Sequence, residues 1–284
     1  MLATRLFTKN NQKIFYMNKV LSLVILASFA FFASCKKDSA TPEYNTAQNG
    51  SISVEFDNIV GTSDLQLNTG SYTNSSNQVY KVTKLKYFVS NFKFNNIDGS
   101  VYTVPQDSSY FLIDESDVNR RLAKLKIPEG EYTSVTFTLG VDSLRNTMDI
   151  SKRTGDLDVT GVATDMYWSW NSGYIFFKLD GTSTAVTTMG GVFQYHTGGF
   201  GGYTSATANN LKTITLNLSA RGSAKVKASK TLGVNVHLLV DVNKVFTGTN
   251  TISLATTSMV HSITLGVPIA ANCASIFSHD HTEN

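Results

Sequence analysis

Val79-Tyr80-Lys81-Val82-Thr83-Lys84-Leu85-Lys86-Tyr87-Phe88-Val89-Ser90-Asn91-Phe92-Lys93-Phe94 is the stretch that decides the fold. It is rich in valine and aromatic residues, and neither glycine nor proline interrupts it. Val82, Leu85, Tyr87, Val89 and Phe92 mark the apolar positions of either two strands or one bent strand. Outward from it, residues 51–56 and 211–218 alternate apolar with polar. Residues 110–113, 132–141, 173–179 and 234–242 are rich in β-branched and aromatic side chains, the composition of strands. Short helical turns are expected at 241–246 and 270–277. Strands separated by Gly-, Asn- and Ser-rich turns predict an all-β fold, a single β-sandwich-like domain over 51–284 with few short helices. Segments 142–172 and 180–210 read as long loops, which in a compact domain tend to carry function.

The N-terminus reads as a targeting segment. Lys19 is followed by an apolar run over 20–32, then Ala33, Ser34 and Cys35. A bilayer span needs roughly 20 apolar residues, so this run is short for one. The pattern resembles a bacterial lipoprotein signal over residues 1–34, with Met17 as initiator and 1–16 as an over-long start. Cys35-Lys36-Lys37-Asp38 is similar to the opening of many lipoproteins of the Bacteroidetes. The resemblance implies cleavage before Cys35 and acylation there, and residues 35–50, polar and without periodicity, read as a flexible tether. The expected partner is then a lipid membrane, held by acyl chains at about 0.8 kcal/mol per buried methylene. The expected location is the bacterial cell envelope, on the outer membrane, with the mature domain outside the cytoplasm.

The whole chain carries a formal charge of +3 from 24 basic and 21 acidic residues. Arg5, Lys9, Lys13 and Lys19 lie in the leader, so the mature chain keeps 20 basic against 21 acidic residues. Without a basic surplus, nucleic acid is excluded as a partner class. Cys273 is the only cysteine besides Cys35. With Cys35 acylated, no disulfide forms within the chain, and Cys273 reads as a small buried hydrophobe rather than a copper thiolate.

Catalytic signatures are missing. The sequence holds no Gly-x-Ser-x-Gly elbow and no His-Glu-x-x-His. Gly198-Gly199-Phe200-Gly201-Gly202 lacks the Lys-Ser/Thr of a phosphate loop. The expectation is a protein that is not an enzyme. Asp142, Asp149, Asp156 and Asp158 are loop carboxylates able to hold calcium, but in no EF-hand spacing.

The chemically distinctive run is Met166-Tyr167-Trp168-Ser169-Trp170-Asn171-Ser172-Gly173-Tyr174, which holds both tryptophans. In extended backbone Met166, Trp168 and Trp170 share a face. Downstream come His196 and the terminal His279 and His281. A thioether, two indoles and imidazoles suit a soft metal, copper as Cu(I). Each residue also has a plain reading as packing, a hydrogen-bonded histidine or a frayed end. His237, within Val236-His237-Leu238, reads as pointing outward from a strand, His261 has no supporting neighbours, and neither is assigned to a site. A different reading is a metal-free carbohydrate-binding or adhesion module, with Trp168, Trp170 and Tyr174 exposed to stack on sugar rings.

In order along the chain, several stretches resemble the MbnP-like family of copper-binding proteins. They are residues 51–61, 84–92, 137–146, 155–158, the tryptophan run 166–174, Tyr195-His196-Thr197-Gly198-Gly199 and Ile276-Phe277-Ser278-His279. The resemblance implies acquisition, storage or transfer of copper. It also implies a di-haem peroxidase-like partner that, in some members, oxidises a tryptophan to a kynurenine ligand. Indole N–H only donates a hydrogen bond, whereas the aryl amine of kynurenine has a lone pair for a metal. The motif carries this role to Trp168 or Trp170 without choosing between them. Cys273 departs from the aromatic residue expected at its place.

Overall fold

The stretch 79–94 forms a single strand, and its two breaks in apolar spacing are bulges. The structure, a computed structural model, describes residues 43–169 and 173–284. The leader, Met17, Cys35 with its acylation, most of the tether, and Trp170 lie outside the described residues.

The main strands are β1 (Asn49–Val60), β2 (Val79–Asn96), β3 (Tyr110–Asp114), β4 (Leu122–Pro128), β5 (Gly130–Leu139), β6 (Gly173–Ser183), β7 (Val192–Gly198), β8 (Lys212–Asn217), β9 (Val234–Asp241) and β10 (Phe277–Glu283). In β2, Val82 and Leu85 both face inward across a register shift against β6, between Asp180 and Gly181. Val89 and Phe92 do so across a second shift against β5, at Asn91, whose φ is 55°. An extra residue at each bulge restores the inward phase and bends the strand. Ser143–Asn146 is a single helical turn, Val242–Val245 is a 3₁₀ turn, and α1 spans Val267–Cys273.

Two curled sheets face each other. The first holds β1, with β4 antiparallel on one edge and β9 parallel on the other, and β10 beyond β9. The second runs β8–β5–β2–β6–β7, with a short parallel strand at Met259–Val260 on β7. Phe56 of the first sheet meets Phe137 of the second edge-on, ring centroids 5.5 Å apart, and Phe277 meets Phe137 at 5.2 Å. Such contacts across the interior are those of a sandwich core. One buried polar bridge crosses it: the Tyr87 hydroxyl donates to Asn58 Oδ1 at 2.9 Å, and Asn58 Nδ2 donates to Glu115 Oε2 at 2.9 Å. The Tyr44–Asn284 portion is one compact unit, and among the described residues no helix is long and apolar enough to cross a membrane.

Two boundaries differ from the sequence reading. The first strand opens at Asn49, inside the stretch expected as tether. Residues 180–210 are not one loop, since β6 runs to Ser183 and β7 fills Val192–Gly198 within them. Their alternation is masked because β6 is buried on both faces almost throughout, and β7 from Tyr195 onward. Residues 142–169 do form a long connection of turns, as expected, and this connection covers the outer face of the second sheet.

Candidate metal centre

The outer face of the second sheet is half ionic and half apolar, and His196 stands at the border. Phe193 and Tyr195 of β7 enter the main core, so Gln194, His196 and Gly198 face outward. Opposite them on β6 stand Lys178, in register with His196, and Asp180, in register with Gln194. Lys86 and Lys84 of β2 lie across from Lys178 and Asp180. Three lysines on one face need acid, and the 142–169 connection supplies it. Asp165 binds Lys84 Nζ at 2.9 Å, Lys86 at 3.2 Å and Lys178 at 3.3 Å, while its backbone carbonyl accepts from Lys178 at 2.7 Å. Burial raises the Asp165 pKa, but the Lys84 hydrogen bond and the charges of Lys178 and Lys86 outweigh it and hold the carboxyl far below the usual range.

Asp165 is thus a clamp, and the residue after it is Met166. Met166 is fully buried and Trp168 is 6% exposed, in a second apolar cluster with Phe88, Leu112, Val141, Leu157, Tyr174 and Phe176. Tyr167–Trp168 pairs with the start of β6, Trp168 opposite Gly173. Two further ties fix this turn. The Tyr174 hydroxyl donates to the Leu157 carbonyl at 2.5 Å, and the Arg153 guanidinium lies 5.3 Å over the Tyr167 ring and 5.4 Å over that of Tyr174.

Trp168 lies directly over Gly198. A Cβ built on Gly198 would stand 2.7 Å from Trp168 Cζ3 and 2.5 Å from the Tyr174 carbonyl oxygen. His196 is two residues earlier on the same strand and the same face, one pleat from the indole. Its Nε2 is 2.7 Å from Asp180 Oδ1. Against its ring stacks His261, centroids 4.3 Å apart and planes 21° apart. Burial lowers the His261 pKa, and the charges of His196 and Lys178 push the same way against the opposing pull of Asp180. His261 is therefore disposed to stay neutral, the form of imidazole that binds metal.

The sequence candidates therefore divide. Met166, Trp168 and His196 belong to one end of one sheet. His279 and His281 stand on β10 of the other sheet, ordered in a strand rather than frayed. His281 stacks on His237, ring centroids 4.8 Å apart. His261 and His237, both set aside from sequence, are the missed members. His261 lies in a loop and no local pattern announces it. His237 alternates outward between buried Val236 and Leu238, so only the pairing of β9 with β10 reveals its neighbour. The four loop aspartates do not converge. Asp142, Asp149 and Asp158 each cap their own turn, and Asp156 takes the Leu112 amide and Arg120. Cys273 is buried in α1, its thiol pKa pushed up by burial.

Comparison with known proteins adds the decisive observation. A sequence model of the MbnP family matches residues 49–273. The chain belongs to the MbnP family. MbnP from Methylosinus trichosporium has a similar fold, with a TM-score of 0.52 at 13% identity over 77% of this chain and 83% of that one. No curated protein matches. MbnP membership links the chain to copper. The residues at the His196 face fit that metal. With Asp180 on His196 Nε2, Nδ1 would be the nitrogen offered to a metal, as where a carboxylate fixes a ligand imidazole's tautomer.

Proposed function

We propose that this MbnP-family chain binds Cu(I) at the His196 face and acquires, stores or hands it on without turning over a substrate. His196 and His261 would hold the ion. The buried Trp168, over Gly198 two residues along the strand from His196, would keep water away and favour the softer, singly charged oxidation state. The observation that carries this reading is the convergence of a stacked imidazole pair with a buried indole one pleat away. Trp168 is the described candidate for conversion to kynurenine: a di-haem partner would withdraw four electrons, water would supply the oxygen, and the indole C2 would leave as formate. Acylation of Cys35 would keep the domain at the membrane surface of the envelope, where such a partner and a copper source meet.

The sugar-stacking alternative requires open aromatic faces. Trp168 and Tyr174 are both buried, so neither offers a platform. The test is analysis of the protein purified from its native membrane. Copper should co-purify with it. If kynurenine is the ligand, the intact mass should show one oxygen gained and one carbon lost at the 166–174 peptide. Protein from that source without copper, with the peptide unmodified, would overturn the proposal.

A further inference from the structure

We propose a second metal site, distinct from the copper face, formed by His237, Asp280 and His281 on the first sheet and suited to Zn(II). Single ligand atoms of these three side chains all lie within 4.8 Å of one another, the only such group of His, Cys, Asp or Glu among the described residues. Asp280 Oδ2 is 3.3 Å from His237 Nδ1 and 2.8 Å from His281 Nδ1. Donors about 2.1 Å from a tetrahedral zinc lie about 3.4 Å from one another, so small movements would seat the ion.

The backbone explains the convergence. His237 of β9 pairs with His281 of β10, but the next partner of β9, Leu238, pairs with His279. Asp280 is therefore the extra residue of a bulge, the device by which sequence neighbours on a strand are re-aimed. Two further observations point to a ligand. His237 Nδ1 is buried and makes no hydrogen bond. Each imidazole also has a carboxylate at its far nitrogen: Asp57 Oδ2 is 3.6 Å from His237 Nε2, and Glu283 Oε1 is 3.6 Å from His281 Nε2. Both lie just beyond hydrogen-bond reach, and a shift of roughly half an ångström would make them the carboxylate backing that metal-binding histidines characteristically carry. Arg221 engages Oδ1 of Asp280 at 3.3 Å and leaves Oδ2 to the ion.

Two imidazoles and a carboxylate without sulfur favour Zn(II) over Cu(I). Asp280 and His281 belong to the last strand, beyond the residues 49–273 that the family model matches. A bound ion would pin that strand to β9.

The test is calorimetric titration of the chelator-stripped chain with Zn(II), alongside H281A, D280N and H196A. The intact chain and H196A should bind zinc alike, while H281A and D280N should each bind at least about tenfold more weakly. Melting curves without zinc should show all variants folded. No zinc uptake by the intact chain, or affinity unchanged in both D280N and H281A, would overturn the site. Loss in H196A instead would place the zinc at the copper face and equally overturn it. Copper binding at His196 is read separately and survives either failure.

Discussion

Gly198→Ala is a one-carbon perturbation whose consequence follows from the seating of Trp168. The new methyl would stand 2.7 Å from Trp168 Cζ3. Favourable carbon–carbon contact begins near 3.5 Å, so the indole must retreat by about 0.8 Å. The other neighbour is the Tyr174 carbonyl oxygen at 2.5 Å, and it belongs to backbone already paired in β6. Neither can yield freely, because the turn is tied by the Asp165 clamp and by the Tyr174 hydroxyl on Leu157. Gly198 is not among the positive-φ glycines, so the substitution adds overlap without backbone strain. Overpacking of this kind costs about 1–3 kcal/mol. In a domain of this size each kcal/mol lowers Tm by about 2–4 °C. The expected result in calorimetry is a fall of roughly 2–12 °C. A change in tryptophan emission and weaker Cu(I) binding should accompany it, since His196 shares the strand. Equal stability with unchanged emission would refute the packing of Trp168 on Gly198, and with it the proximity of indole and imidazole.

Further outcomes follow from other contacts. Burial lifts the Glu115 carboxyl from 4.5 to about 7, against the Asn58 hydrogen bond and the Arg121 charge. A raised acid pKa means the folded chain holds a proton that the unfolded chain has lost, so stability should fall as pH rises from 4.5 to 7. The full swing is about 3 kcal/mol, and E115Q should flatten that slope in urea titrations. Asp165→Ala leaves Lys84, Lys86 and Lys178 without their shared acid, and chemical denaturation should register a loss of about 2 kcal/mol after allowance for its partial exposure. Asp180→Asn keeps the shape but removes the charge behind His196; competition with a Cu(I) chelator should show affinity reduced about 10–100-fold, with Tm little changed.

Much of the sandwich was legible because its central strands alternate cleanly wherever one face is core and the other polar, as at 51–56 and 234–242. Residues 79–94 were legible as strand but ambiguous in number, since a bulge adds one residue and mimics a break. Residues 192–198 were missed as a strand because Phe193 and Tyr195 alternate with Gln194 and His196 for only two periods before Thr197 and the glycine-rich run from Gly198 end the pattern. At the His196 face, Met166, Trp168 and His196 come from stretches that stand out in the sequence itself. His261 does not, because its role comes from a loop more than sixty residues away brought over β7. His237 and His281 find each other only through the pairing of the last two strands. Where partnership is set by tertiary register, single-sequence periodicity carries no signal.

The most direct test of the account is Cu(I) titration of the chain against H196A and H261A in the presence of a competing chelator. A single tight copper equivalent in the unaltered chain, lost or weakened by orders of magnitude in H196A and reduced in H261A, is the predicted result. Copper retained at full stoichiometry and affinity when both imidazoles are removed would contradict the claim that this stacked pair beside the buried indole is the copper site.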